Sequence, residues 1–262
     1  MKFLNEIVEL KKKRLAAAKA ARAEEELKRA ARARRDGVEK HRLRAALGRD
    51  GINVIAEIKR ASPSKGVIND RIDVAETARA YELGGACAIS VLTEEDRFQG
   101  SLADLETARA AVSLPILRKD FVIDAFQIYE AAAAGADVVL LIAAILDDRQ
   151  MNEFHRLAED ELGMDALVEV HTLEELERVN QIGPPIVGVN NRDLHSFRVS
   201  LDVSRELVRH APAGTLLIAE SGLSTRTEIE DLQTRGFRGF LIGETLMRSG
   251  DPATELAAWT GK

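Results

Sequence analysis

Residues 115–143 read PILRKDFVIDAFQIYEAAAAGADVVLLIA, two short aliphatic runs on either side of a segment with helical character. The first run, Pro115-Ile116-Leu117, closes on Arg118, Lys119, Asp120 and Phe121. Asp124 then supplies a carboxylate at a helix start, and Gly135 a residue suited to ending it. The second run is Val138 to Ile142. Strand, helix and strand in this order form a unit whose two strands lie parallel, because the crossover helix returns the chain to the same end of the sheet.

The same alternation extends in both directions. Aliphatic runs recur at INVIAEI (52–58), ACAISVL (86–92), ALVEVH (166–171), PIVGVNN (185–191), LLIAES (216–221) and GFLIGE (239–244). Helical segments lie between them at 73–85, 101–112, 147–163, 172–183, 202–211 and 225–236, several opening on Ser, Thr or Asp and several closing on Gly. Eight such units predict an α/β fold with its parallel sheet closed, a (β/α)8 or TIM barrel. An open doubly wound sheet would be expected to carry a glycine-rich nucleotide loop after its first strand, and none is there.

The barrel is expected over residues 49–262, preceded by a helical extension over 1–48. That head has 15 Lys and Arg against 7 Asp and Glu, while the remainder carries 22 against 36, for a net charge of −6. Its Ala, Glu, Lys, Arg and Leu content predicts one or two helices, broken near Asp36-Gly37, with a thin apolar stripe that packs only in part. A solvated helix docked over the domain is the favoured reading; a nucleic-acid arm and a transit peptide are the alternatives. The acidic remainder speaks against nucleic acid. The longest apolar run is interrupted by Gly135 and Asp137, so no membrane span is expected, and the charged first twenty residues do not resemble a secretory signal. A cytoplasmic protein is expected. Cys87 is the single cysteine and sits in an apolar run, which excludes a disulfide framework and suggests an inert thiol.

Reactive groups in such barrels sit where strands end, and residues two apart on a strand share a face. Glu57 and Lys59 share the face of Ile55, Lys119 that of Leu117, and Glu169 that of Leu167. Asn190 and Arg192 share that of Gly188, and Glu220 that of Ile218. Five strands therefore end in charged or amide side chains aimed at one place, and the eighth ends in Gly243. Adjacent buried lysines lower each other's pKa and glutamates in apolar pockets are raised, which suits proton transfer; a lysine Schiff base is the alternative chemistry. Neither His171 nor His195 has a partner at metal-ligand spacing, so no metal is expected. ESGL (220–223) and IGETLM (242–247) place Gly222 and Gly243 where backbone N–H groups can approach a phosphate, with Glu244 next to the second. The expected substrate is a small phosphorylated molecule.

The segment VIAEIKRASPSKGVI (54–68) resembles the signature of the indole-3-glycerol phosphate synthase family. The resemblance continues through PILRKDFVID, LVEVH, VGVNNRDL, AESGL and FLIGETLM, in order, and more weakly through FLNEIVELKKKRL (3–15). It implies ring closure of 1-(2-carboxyphenylamino)-1-deoxyribulose 5-phosphate with loss of CO2 and water, without cofactor or metal. It also implies Lys119 as general acid, Glu169 as the carboxylate that meets developing positive charge or takes a proton, and Lys59 with Glu57 in the dehydration. Asn190, Arg192, Glu220 and Ser221 match substrate-contacting positions, and Phe121 one that packs on the anthranilate ring, with Leu194 its neighbour. Ser62, Lys59, Gly222, Gly243 and Glu244 match the phosphate end, and Ser62-Pro63-Ser64 begins a loop that closes over the mouth. The family's head usually contains a proline turn, whereas Pro63 is the first proline here. A monomer is expected, open to association with other enzymes of the tryptophan pathway.

Overall fold

The computed structural model describes residues 2–63, 66–69, 71–194 and 196–262. Three helices come first: α1 Lys2–Ala21, α2 Glu24–Arg35 and α3 Arg42–Leu47. Eight barrel strands follow among the described residues: β1 Val54–Ile58, β2 Ala88–Leu92, β3 Ile116–Lys119, β4 Val138–Ile142, β5 Asp165–Val170, β6 Ile186–Asn190, β7 Leu216–Glu220 and β8 Phe237–Ile242, with a short antiparallel pair, Ala61–Ser62 and Gly66–Val67, after β1. Each barrel strand pairs in parallel with the next and β8 returns to β1, so the sheet closes as expected. The seven crossovers hold α4 Val74–Leu83, α5 Leu102–Ala111, α6 Ala125–Ala134, α7 Asp148–Arg156, α8 Leu173–Asn180, α9 Asp202–Leu207 and α10 Arg226–Arg235. Beyond β8 lie α11 Glu244–Arg248 and α12 Pro252–Thr260. Among the described residues no helix is long and apolar enough to cross a membrane.

Local chemistry sets the helix boundaries. Asp73, Ser101, Asp124, Asp147, Thr172, Thr225 and Asp251 each accept a backbone N–H of the first turn, an interaction worth ~1 kcal/mol apiece. Gly135 ends α6 at φ +91°, a left-handed conformation that a side chain would strain. The strands alternate between two apolar clusters. Ile55, Leu117, Leu140, Leu167, Ile218 and Leu241 fill the barrel interior, and their neighbours Ala56, Ile116, Val139, Val168, Ala219 and Phe240 face the helices. Cys87 is buried, and burial pushes its thiol up to about 12, which leaves it unreactive.

The head packs in part, as its thin stripe suggests, with Ile7, Lys11, Leu27, Ala31, Leu43, Ala46 and Leu47 buried and most of its other described residues at least partly exposed. It breaks not only near Asp36-Gly37 but also at Arg22-Ala23, a turn made without proline. Helix α1 crosses the end of the barrel where the strands finish, burying Ile7 in the interior cluster. Lys11 lies 2.8 Å from Asp120 and both are buried, while Arg14–Asp96 at 2.8 Å and Lys19–Asp124 at 2.7 Å are more exposed and contribute less. Helix α2 lies along α6 with Leu27 and Ala31 fully buried. Helix α3 plugs the opposite end with Leu43 and Leu47, and Asp165 accepts the backbone N–H of Leu43 at 2.8 Å. Beside this plug, Asp137 is 2% exposed and holds three guanidiniums, Arg35 at 3.1 Å and Arg42 and Arg109 at 2.9 Å each.

Candidate active site

A cavity of about 910 Å3 opens at the end of the barrel where the strands finish. It is lined by every residue expected at the site: Glu57, Lys59, Ser62, Lys119, Phe121, Glu169, Asn190, Arg192, Leu194, Glu220, Ser221, Gly222, Gly243 and Glu244. Ser64 and His195 lie outside the described residues. The strand ends deliver this set because Leu117, Leu167 and Ile218 point inward, and the side chains two residues later project into the mouth.

At its floor Lys119 Nζ lies 3.3 Å from Glu169 Oε2 and 3.5 Å from Glu220 Oε2. Burial alone would lower the ammonium pKa, but Glu169, Glu220 and Glu57 outweigh it and raise it above the usual lysine value. The expected lowering by a second lysine is therefore not what Lys119 experiences, since carboxylates outnumber lysines around it. Burial alone would likewise raise Glu169, yet Lys119, His171 and Asn190 hold it below the usual carboxylate range. Glu220 goes the other way: burial, reinforced by ionised Glu169, pushes it up to about 8 against the pull of Lys119. Two neighbouring carboxyls thus differ in charge at neutral pH, one an anion and the other a proton carrier. Both Glu220 oxygens are buried without a hydrogen bond among the described residues, an unmet need that a ligand in the cavity can fill.

Lys59 pairs with Glu57 at the end of β1. Gly243 makes room for that pair, because a Cβ there would come 2.3 Å from Glu57 Oε1 and 2.9 Å from its Cβ. Gly243→Ala is expected to lower kcat/KM about tenfold or more, following from the ~1–3 kcal/mol that overpacking costs, with Glu57 displaced. Steady-state kinetics checks it, and an unchanged kcat/KM would show that Glu57 tolerates the move. Ser221 at φ +63° and Gly222 at φ +82° turn the chain sharply after β7. The Thr245 hydroxyl donates to Leu223 O at 3.3 Å, which joins the loops after β7 and β8.

Four phenylalanines crowd the mouth. Phe98 and Phe121 lie 6.3 Å apart between ring centroids, and Phe3 from α1 meets Phe197 edge-on at 5.0 Å. The strand-end pattern does not mark Phe3, Phe98 and Phe197; Phe98 and Phe197 lie in loops after strand ends, a usable signal in so aromatic-poor a chain, whereas Phe3 sits on α1. Among the described residues, two groups of side chains, one with a histidine and one wholly acidic, are close enough to share an ion. His41, Glu159 and Asp165 lie at the far end of the barrel, where Arg44 already pairs with both carboxylates. Glu94, Glu95 and Asp96 follow β2, where Lys11 and Arg14 pair with the latter two.

The sequence matches the indole-3-glycerol phosphate synthase family over residues 4–258. The chain belongs to that family. Among its relatives, the indole-3-glycerol phosphate synthase of Carboxydothermus hydrogenoformans is 50% identical over 222 residues, covering 82% of this chain and 83% of its own. That of Syntrophobacter fumaroxidans is 43% identical over 255 residues, covering 97% and 96%. Among solved structures, thiamine phosphate pyrophosphorylase from Pyrococcus furiosus superposes with a TM-score of 0.59 at 18% identity, covering 84% of this chain and 98% of that one. KGPDC from Streptococcus mutans gives 0.61 at 14%, covering 81% and 97%. At such low identities these two bear on the barrel fold alone. The family match includes most of the proline-free head, so the turn at Arg22-Ala23 lies inside the region of likeness.

Proposed function

We propose that this member of the family closes 1-(2-carboxyphenylamino)-1-deoxyribulose 5-phosphate to indole-3-glycerol phosphate by general acid–base catalysis. The observation that carries the assignment is the buried Lys119 ammonium between Glu169 and Glu220, on the floor of a cavity that also holds Lys59 and Arg192. The substrate bears a carboxylate and a phosphate, and cations at both strand-1 and strand-3 ends suit a molecule charged at both extremes.

Lys119 donates its proton to the substrate ketone as the ring carbon attacks, so negative charge never accumulates on that oxygen. The bond that forms leaves positive charge on the conjugated nitrogen, and ionised Glu169 stabilises it. Loss of CO2 returns the electron pair to the ring and discharges that nitrogen. Lys59, held by Glu57, then protonates the departing hydroxyl, and a carboxylate takes the ring proton to complete the loss of water. Phe121 packs on the anthranilate ring beside Leu194, and Asn190, Arg192, Glu220 and Ser221 hold the sugar and carboxylate. Ser62, Lys59, Gly222, Gly243 and Glu244 form the phosphate end, where glycine lets backbone N–H groups approach. Every proton transfer in this scheme belongs to the chain's own lysines and carboxylates, and one chain supplies all the residues.

The test is a spectroscopic assay with that substrate, following the indole chromophore and released CO2 together. Stoichiometric appearance of both is expected. A folded protein that binds the substrate yet forms neither product would overturn the reading.

A further inference from the structure

We infer that His171, set between Glu169 and Glu175, is a positioning residue that keeps Glu169 ionised and aimed at the substrate throughout the reaction. This rests on the role proposed above for Glu169.

His171 is the first residue after β5, and it shares a face with Leu167 and Glu169. Its side chain is 9% exposed, and it sits behind Glu169 rather than in the cavity wall. Nε2 lies 3.3 Å from Glu169 Oε1, the oxygen turned away from Lys119, an ion-pair contact; Nε2 is buried and has no hydrogen-bond partner among the described residues. Nδ1 lies 3.4 Å from Glu175 Oε2, and the same oxygen accepts the His171 backbone N–H at 2.7 Å. Thr172 caps α8 by accepting the Glu175 backbone N–H, so the glutamate that holds the imidazole is itself placed by the helix start. A carboxylate, an imidazole and a carboxylate therefore lie in a row running from the cavity into α8.

The other charged groups around this row are Lys119 from β3 and Glu220 from β7 on the cavity side, with Glu57 from β1 beyond them. Arg178 on α8 is occupied elsewhere, with Asp148 and the Leu146 carbonyl. Burial alone would lower the imidazole pKa, but Glu169 and Glu175 outweigh it and push it up to about 10, so His171 is a cation at working pH.

A second cation on Glu169 matters at one moment. Once Lys119 has delivered its proton, its amine is neutral, and Glu169 loses the counter-charge on one oxygen. With nothing on the other oxygen, the carboxylate becomes a stronger base than it is beside two cations, and a proton on it would cancel the charge that meets the positive charge developing on the substrate. The imidazolium prevents this and fixes the rotation of the carboxylate.

The experiment compares pH profiles of kcat/KM for the wild type, Glu169→Gln, His171→Gln and Glu175→Gln. Gln at 175 keeps an acceptor for the His171 backbone N–H and removes only the charge. His171→Gln is expected to move the acid limb up by about one unit or more, as loss of a cation within ~4 Å of a carboxylate implies, with plateau KM changed less than about threefold. Glu175→Gln is expected to leave the acid limb in place and to bring loss of activity to lower pH on the alkaline side, because one of the two carboxylates that hold the imidazolium proton is gone, and to add nothing in the His171→Gln background. A purely structural histidine would lower the plateau or the melting temperature without moving the limb. An inactive Glu169→Gln beside a His171→Gln profile that superposes on the wild type overturns the inference and leaves the role of Glu169 standing. An active Glu169→Gln overturns the reading on which both depend.

Discussion

Lys119→Ala folds and loses about a thousandfold in kcat, within the ~10²–10⁴-fold that a positioned acid supplies. The loss is large because the substrate oxygen then lacks both the proton and the positive charge of the Lys119 ammonium. The fold survives for an electrostatic reason. Glu220 already carries a proton below about 8, so removal of Lys119 exposes only one buried anion, and His171 lies 3.3 Å from it. Single-turnover kinetics with the anthranilate-bearing substrate, beside far-UV circular dichroism, separates the outcomes. Turnover near that of the wild type would remove Lys119 from the role of acid.

Asp137→Asn has its large effect at the other end of the molecule. Arg35, Arg42 and Arg109 come from α2, α3 and α5 and meet on this carboxylate, which also accepts the Ile116 backbone N–H at 3.1 Å. Asparagine keeps the shape but leaves three guanidiniums facing one another without a counter-charge. A loss of about 3–5 kcal/mol is expected, the usual consequence of removing one partner from a buried ion pair. It should show as a lower urea midpoint with an unchanged slope. Activity under native conditions should hold, because the cavity lies at the opposite end of the barrel. A midpoint equal to that of the wild type would mean that solvent or another group neutralises the arginines.

The barrel was legible because its signal is repetitive. Each strand is a short aliphatic run, each crossover begins at a capping side chain, and the two-residue period puts Glu57, Lys119, Glu169 and Glu220 on the face of an inward apolar neighbour. The head was harder to read for the opposite reason. Ile7, Leu27, Ala31, Leu43 and Leu47 are all buried, but they are spread over three helices that touch three different parts of the barrel. No single stripe forms, so periodicity does not show which part of the barrel each helix meets. Lys11 misleads in the same way, since a lysine in a run of four cations reads as solvated until Asp120 meets it across the fold. The direction of the Lys119 pKa also escaped the sequence, because it depends on how many carboxylates converge from distant strands. His171 and Glu175 could have been paired from their spacing of four across the strand–helix junction. The two-residue period also places His171 on the face of Glu169, which is the sequence trace of their contact.

The plug formed by α3 also orders events during synthesis. Leu43 and Leu47 finish an apolar floor whose other members come from strands as late as β8, and the carboxylate that caps this helix is Asp165, 122 residues further along the chain. At a ribosomal rate of ~5–20 residues per second, the segment waits roughly 6–24 s for that cap alone. Over this interval its leucines have no barrel to enter. The high charge of the head, 15 cations and 7 anions among 48 residues, keeps such a waiting segment in water. The composition that looked like a solvated arm thus serves the nascent chain first and the finished enzyme second.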